Sequence, residues 1–168
     1  MKNNWPIFVD ILIILVVASV LVFLFKTYQD PVIDYLRGGG DVAIHVRDIP
    51  LRVSVADTDS KRQQGLSGVV SLDAEEGMLF IFDKTGDYLF WMKDMNFPID
   101  IFWIDENLKI VYIEENVKPE YYPTRYGSPK PARFVLETNA FFAKTFNIKV
   151  GDTVSIPENR LPVDLRER

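Results

Sequence analysis

An apolar segment near the N-terminus places the strongest constraint on what this 168-residue chain can fold into. Residues 7–25 are apolar or small except for Asp10, and they lack the polar stripe of a helix that packs on a soluble core. As a helix they would be roughly 28 Å long, close to the ~30 Å hydrocarbon core of a bilayer. Trp5 and Tyr28 flank the segment, where interfacial aromatic side chains are common. The sequence therefore predicts one transmembrane helix within residues 1–25.

This helix is predicted to remain attached as an anchor. A cleaved signal peptide ends in small residues, whereas this segment ends in Leu24-Phe25-Lys26. Because it is the first apolar segment that a translocon meets, we expect the remaining chain to be extracytoplasmic; an anchored cytoplasmic domain is the alternative. Beyond the anchor, the sequence predicts a juxtamembrane linker at residues 26–40, a globular domain at residues 41–160 and a C-terminal tail at residues 161–168.

Composition excludes several classes of function. The chain has no cysteine and a single histidine, His45, so disulfides, thiol nucleophiles and multi-histidine metal centres are excluded. We therefore predict no metal site and no other cofactor. The net charge of −5 argues against nucleic-acid binding, which requires a basic face.

Short strands dominate the predicted globular domain. Apolar and other residues alternate at residues 42–46 and 51–55, which is typical of strands with one buried face. Other short apolar runs are bounded by turn residues, which also favours strands. The strands predicted in this way are residues 42–46, 51–55, 78–82, 88–92, 99–104, 108–113, 133–137 and 153–156.

Turn residues and helix caps complete the predicted fold. Loops at residues 83–87 and 105–107 predict two hairpins, each joining neighbouring strands. Residues 59–64 and 138–147 are predicted to be short helices, the first ending at Gly65. The absence of β-α-β alternation favours a mainly β domain with two short helices: a compact antiparallel β-sandwich or a partly open barrel.

Spaced motifs in the globular domain resemble a known family. The motifs are Gly65-Leu66, Gly77-Met78-Leu79-Phe80, Phe90-Trp91-Met92-Lys93-Asp94, Pro98-Ile99-Asp100-Ile101, a tyrosine–proline loop, Val135-Leu136-Glu137 and Gly151-Asp152-x-Val154. In this order they resemble the uncharacterised family named domain of unknown function 192 (DUF192), over residues 41–156. The resemblance implies a small, mainly β domain, often behind a signal peptide or membrane anchor, and brings no biochemical activity.

Three positions depart from the pattern of that family. The tryptophan motif usually continues Met-Lys-Asn-Thr, whereas this chain has Asp94 and Met95 at the last two positions. A small residue or glycine usually stands at the position of Phe141. A basic residue commonly follows the Gly-Leu motif, and residues 67–70 contain none. Any site that depends on the missing amide or the missing basic residue is in doubt here.

Three charged residues are the candidates for catalysis. Asp100 lies in a run with two apolar faces, so its carboxyl group is expected near buried surface and in need of a partner. Lys93 precedes the short connection to that run and is predicted to reach Asp100. Glu137 ends an apolar strand and is a second buried acid. These groups predict either proton transfer and ligand binding, or a structural ion pair between Lys93 and Asp100.

Aromatic and neighbouring residues are the candidates for binding a ligand. Trp91 and Met92 are predicted either to line a groove or to belong to the core, and Tyr122 either to stack on a ligand or to pack within its proline-rich loop. The predicted ligand-binding residues are Trp91, Met92, Lys93, Asp94 and Tyr122.

The sequence leaves three functions open. The first is a binding or accessory module at a membrane surface, with a small molecule, a glycan or a protein as partner and residues 7–25 in the membrane. The second is a hydrolase-type enzyme in which Asp100 and Glu137 act with Lys93. The third is a structural or partner-docking domain.

Overall fold

The computed structural model describes residues 13–19 and 41–166. The chain divides into two compact units, residues 1–35 and 36–168. In the first unit, residues 13–19 form a helix with exposed side chains. The remainder of the predicted anchor and the predicted linker, residues 26–40, lie outside the described residues. No helix within the described ranges is both long and apolar enough to span a bilayer.

The second unit is built on one seven-stranded sheet, in which the short apolar runs of the sequence form the central strands. A separate pair of two-residue strands accompanies the sheet, and the helices are short. In chain order the strands are β1 (Val42–Val46), β2 (Ile49–Ala56), β3 (Glu76–Gly86), β4 (Phe90–Trp91), β5 (Ile99–Ile104), β6 (Ile110–Val117), β7 (Arg125–Tyr126), β8 (Ala132–Asn139) and β9 (Val154–Ser155). The helices are α1 (Asp59–Gln64), α2 (Phe142–Phe146) and α3 (Val163–Arg166), with 3₁₀ turns at Pro119–Tyr121 and Glu158–Arg160.

The sheet curls into a half-barrel. Its strand order is β6-β5-β8-β3-β2-β1-β9, and β4 pairs only with β7. The two outermost strands approach each other at one end, where Lys109 and Thr153 form a bridge and the Val154 N–H donates to Leu108 O at 2.9 Å. The prediction of a mainly β fold is confirmed, and the curled sheet corresponds to the partly open barrel rather than to a sandwich of two sheets.

One strand pair is parallel, which corrects the prediction of a fully antiparallel domain. β2 and β3 pair in parallel, whereas the other neighbours in the sheet are antiparallel. Parallel strands need a long crossover, and residues 57–75 supply it with α1 at its beginning.

The predicted hairpin between residues 78–82 and 88–92 is wrong. β3 contains the first of these segments, but it pairs with β2 and β8. The hairpin of β5 and β6 is confirmed, as is the alternation of buried and exposed residues in β1. The predicted helix at residues 138–147 is shorter, because Thr138 and Asn139 continue β8.

Both faces of the central strands are buried. The inner face contributes Leu79, Phe102 and Leu136 to a large apolar cluster inside the curl of the sheet. The outer face is also covered: the Trp103 Nε1–H donates to Tyr88 O at 3.0 Å, and the Phe90 ring packs 6.0 Å from the Trp103 ring. All six residues of β5 are consequently buried. The chain that covers this outer face also forms the walls of a cavity.

Candidate functional site

A cavity of about 260 Å³ lies on the outer face of the sheet. We call it the Glu137 cavity, after the one carboxylic acid among its lining residues. Its walls come from α1 and the turn after it, from the outward side chains of β3, from Glu137 in β8 and from the segment that contains β4. The lining residues are Arg62, Gln63, Gln64, Gly65, Leu66, Ser67, Phe80, Phe82, Tyr88, Leu89, Phe90, Trp91, Met95 and Glu137.

Strand register places Glu137 at the base of this cavity. Glu137 pairs with Met78 of β3 on one side and with Ile101 of β5 on the other. Directly paired residues project from the same face of a sheet, so all three side chains belong to the outer face. Glu137 is only 4% exposed, because α1 and the segment with β4 cover this part of the outer face.

The Glu137 carboxyl group is buried without a polar partner. Its Oε2 atom has no hydrogen-bond partner within the described residues. Burial raises the pKa of Glu137 from 4.5 to about 8, because the charged form loses its hydration. At neutral pH the group is therefore mostly protonated, and it can donate a hydrogen bond or lose its proton to bind a cation. A buried, unpaired acid that lines a cavity is a common feature of functional sites.

Five aromatic residues contribute to the walls of the Glu137 cavity. The Phe80 and Phe90 rings lie 4.8 Å apart at 84° to each other. The Phe82 and Tyr88 rings stack 3.5 Å apart with an angle of 10° between their planes. These contacts hold the segment with β4 against β3, so the cavity is formed by two parts of the chain that are packed together.

Arg62 of α1 is fixed at the edge of the cavity. Its Nη1–H donates to Ile81 O at 2.7 Å, and its Nη2–H donates to Asp59 Oδ1 at 2.6 Å. Its guanidinium carbon lies 5.4 Å from the centre of the Phe82 ring. The charge of Arg62 is therefore paired with Asp59, and no ion pair within residues 41–166 joins Arg62 to Glu137.

Two glycines of the family motifs are required by this geometry. Gly65 ends α1 at φ +51°, a conformation that side chains disfavour, and it turns the chain toward Leu66 in the cavity wall. A Cβ atom at Gly77 would lie 2.6 Å from Glu137 O, so only glycine permits this approach of β3 to β8.

An exposed aromatic surface adjoins the cavity. Trp91 lines the cavity and is 44% exposed; its ring lies 5.9 Å from the Tyr122 ring, and the guanidinium carbon of Arg125 lies 5.4 Å from the centre of the Trp91 ring. The β4–β7 pair sets this contact by placing Trp91 opposite Arg125. We call Trp91, Tyr122 and Arg125 the Trp91 platform.

Other predicted ligand-binding residues lie away from the cavity. Met92 is buried and does not line it. Lys93 is exposed, and its Nζ lies 4.0 Å from Asp94 Oδ2. Asp94 has φ +55°, and its carbonyl oxygen accepts a hydrogen bond from the Gly68 N–H at 2.8 Å. The backbone of this segment thus supports the turn after α1.

The predicted contact between Lys93 and Asp100 is wrong. Asp100 is fully buried, as expected, but its carboxyl group accepts hydrogen bonds from the backbone N–H groups of Asn116 at 2.8 Å, Phe141 at 3.1 Å and Ala143 at 2.9 Å. These bonds attach β6 and the start of α2 to β5. No ion pair of the described part of the chain joins Lys93 to Asp100.

Asp100 and Glu137 also project from opposite faces of the sheet. Asp100 pairs with Thr138, whereas Glu137 pairs with Ile101. Because successive residues of a strand alternate in direction, Asp100 belongs to the inner face and Glu137 to the outer face. The two acids do not share a cleft in which they could act as an acid–base pair.

Sequence reasoning identified Glu137 and Trp91 and missed the rest of the cavity wall. Arg62, Phe80 and Tyr88 were not among the candidates. One available signal was that residues 78–82 are apolar on both faces, which requires another part of the chain to cover the outer face.

Comparisons with known proteins agree with the motifs in the sequence. The model of the DUF192 family, described as "Uncharacterized ACR", matches residues 42–156. A protein from Sinorhizobium meliloti 1021, described as a proposed transcription regulator, has a similar crystal structure, with a TM-score of 0.64. Its sequence is 30% identical to this one, and the match covers 68% of this chain and 91% of that chain. A protein of unknown function from Novosphingobium aromaticivorans DSM 12444 is 29% identical with a TM-score of 0.63, over 68% of this chain and 83% of that one. No curated protein matches the chain significantly.

Proposed function

The chain belongs to the DUF192 family, and we propose that residues 41–160 are a small-molecule-binding module that an N-terminal anchor holds at the outer surface of a membrane. The observation that carries the proposal is the buried carboxyl group of Glu137, which lines a cavity and has no partner for Oε2 in the described residues. Leaving a buried polar group unpaired costs about 1–3 kcal/mol, and a ligand that bonds to it recovers this energy.

The apolar walls favour a ligand over water alone. Small-molecule sites are typically concave and lined by aromatic side chains, with a few polar groups that orient the ligand. The Glu137 cavity has this composition, and its volume of about 260 Å³ lies just below the usual range of roughly 300–1,000 Å³. It therefore suits a small compound or one end of a larger one, with the Trp91 platform as the surface for the remainder.

The apolar segment at residues 7–25 supports attachment to a membrane. Asp41, at the start of the predicted domain, accepts a hydrogen bond from Ser54 Oγ at 3.3 Å. Ser54, Met78 and Glu137 are aligned across three adjacent strands, so Ser54 and Glu137 are separated by two strand spacings, about 10 Å. Asp41 and Glu137 therefore lie along the same row of the sheet.

Two other functions have weaker support. A hydrolase built on Asp100 and Glu137 with Lys93 would need these groups in one cleft, and they are separated as described above. The S. meliloti relative is described as a proposed transcription regulator. For a regulatory role of this chain, the net charge of −5 favours a ligand sensor over a DNA-binding protein.

A ligand screen on the full chain in maltoside micelles tests the binding proposal. Thermal unfolding is measured with neutral, cationic and anionic compounds that are small enough for the cavity, since a ligand of the folded state raises the midpoint. Ser67→Phe, in the cavity wall, should abolish every such shift. Ser71→Phe, at an exposed position outside the wall, is the matched control. The proposal is wrong if no compound raises the midpoint or if the shifts persist in Ser67→Phe.

The membrane proposal has a separate test. Protein extracted from membranes should have the mass of the uncleaved chain, and added protease should digest residues 41–160 on the outer side of intact cells. A new N-terminus near residue 26 would contradict a retained anchor, and full protection from protease would contradict an extracytoplasmic domain.

A further inference from the structure

We infer, on the basis of the proposed binding function, that the ligand of the Glu137 cavity carries an alkylammonium group that binds between the aromatic rings and the carboxylate of Glu137. The inference concerns the chemical class of the ligand and depends on three features of the cavity. These are the unpaired carboxyl group, the aromatic residues in the walls and the pairing of Arg62, the cation among the lining residues, with Asp59.

The carboxyl group lacks a counter-charge that the chain could have supplied. Of the other residues that line the cavity, Arg62 and Tyr88 have titratable side chains. Arg62 donates from its two terminal nitrogens to Ile81 O and Asp59, and the Tyr88 hydroxyl donates to Lys84 O at 2.6 Å. Both groups are thus engaged elsewhere, which leaves the position beside Glu137 for a charge that arrives with the ligand.

A carboxylic acid offers a property that an amide of the same shape lacks. A glutamine at this position could donate and accept hydrogen bonds with a neutral ligand and would never become charged. Glutamate differs in that it ionises, and a buried carboxylate is stable only when a cation is close to it. A positively charged ligand would therefore interact with the ionised carboxylate, the form that glutamate can adopt and glutamine cannot.

The aromatic walls fit the same kind of group. Phe80, Phe90 and Trp91 are among the residues that line the cavity, and an alkylammonium group is both apolar on its outside and attracted to the faces of aromatic rings. A compact inorganic cation is usually held by several oxygen ligands, often carboxylates, and Glu137 is the one carboxylic acid among the residues that line the cavity. The aromatic rings thus suit the alkyl groups of an alkylammonium ion, and the Glu137 carboxylate suits its positive charge.

Choline and its neutral isostere 3,3-dimethylbutan-1-ol form the decisive pair of probes, because they have the same shape and differ in charge. Binding to the full chain in maltoside micelles is measured by titration calorimetry at pH 7, with tetramethylammonium and butylammonium as further cations. We expect at least one of these cations to bind, and choline to bind at least tenfold more tightly than the neutral isostere. Titrations in two buffers of different ionisation enthalpy should show the release of nearly one proton per bound cation, as Glu137 ionises.

Two variants assign the effect to Glu137. Glu137→Gln keeps the shape of the side chain and should lower choline binding to the level of the neutral isostere while leaving the isostere unaffected. Glu115→Gln makes the same change at an exposed position of β6 and should alter neither. Thermal unfolding of each variant without ligand verifies that it is folded.

The outcomes separate this inference from the binding function on which it rests. If the neutral isostere binds as tightly as choline, or if cations bind without proton release, the inference is wrong and the binding function stands. The same holds if all three cations fail to bind while other compounds raise the unfolding midpoint in the ligand screen. If nothing binds in either experiment, the binding function is wrong, and the inference fails with it.

Discussion

Replacing Glu137 by glutamine should remove a large pH dependence from the stability of the domain. Below pH 4.5 the carboxyl group is protonated in both the folded and the unfolded chain, so it contributes no pH dependence there. As the pH rises from 4.5 to 8, the unfolded chain loses this proton while the folded chain retains it, because burial raises the pKa of Glu137 to about 8. The contribution of this group to the free energy of unfolding therefore falls with rising pH.

The size of the effect follows from the two pKa values. Each tenfold change in proton affinity corresponds to about 1.4 kcal/mol, so the loss between pH 4.5 and pH 8 is about 4–5 kcal/mol if Glu137 acts alone. The glutamine side chain has nearly the same shape and does not titrate. The difference in stability between Glu137→Gln and the wild type should consequently shift by this amount in favour of the variant as the pH rises.

Denaturant unfolding followed by tryptophan fluorescence measures this difference at a series of pH values. Glu115→Gln is the control, since an exposed acid should leave the profile of the wild type unchanged. Parallel profiles for Glu137→Gln and the wild type, within about 0.5 kcal/mol across the range, would refute the assignment of Glu137 as a buried neutral acid.

Four further substitutions test the local geometry, each by denaturant unfolding. Asp100→Ala should destabilise by about 3 kcal/mol or more, because it leaves three backbone N–H groups without an acceptor. Lys93→Met should change stability by less than about 0.5 kcal/mol, because Lys93 is exposed. Strong non-additivity in the double variant would show that the two residues do interact. Phe141→Gly should stabilise by about 0.5–1 kcal/mol, since Phe141 has φ +69° and its side chain is 51% exposed; a loss of stability would show that the phenyl ring has a packing role. Gly77→Ala should destabilise by about 1–3 kcal/mol through the contact of its Cβ with Glu137 O, and a neutral result would mean that β3 can move away from β8.

Elements set by local patterns could be predicted from the sequence. The alternation in β1 and the turn between β5 and β6 depend on neighbouring residues, and both were predicted. The hairpin at residues 78–92 was predicted wrongly because its turn signal is local, whereas β3 obtains its partners from distant parts of the chain. An apolar strand with two buried faces does not indicate which strands will be its neighbours.

The candidate site shows the same division between local and distant information. Glu137 could be predicted as a buried acid because it ends an apolar strand. Asp100 was also predicted to be buried, but its hydrogen-bond partners could not be predicted. They are backbone N–H groups 16, 41 and 43 residues away, and the pattern of side chains in a sequence does not indicate such contacts. The sequence thus indicates that a buried charge needs a partner without indicating which group provides it.

The departures from the family pattern have a backbone explanation at two positions. Asp94 stands where the family usually has asparagine, and its φ of +55° lies in the region that asparagine and aspartate tolerate best. Phe141 stands where the family usually has a small residue or glycine, at a φ of +69°. Backbone conformation therefore accounts for both family preferences.

The position of β8 also has a consequence for the synthesis of this protein. β8 lies between β3 and β5, although both of those strands precede it in the chain. Until residues 132–139 have left the ribosome, β3 and β5 each have an edge whose backbone groups are unpaired, and such edges promote aggregation. Pairing of β8 with both strands closes these two edges and places Glu137 on the outer face, so the Glu137 cavity can form only when the same segment also protects β3 and β5 from aggregation.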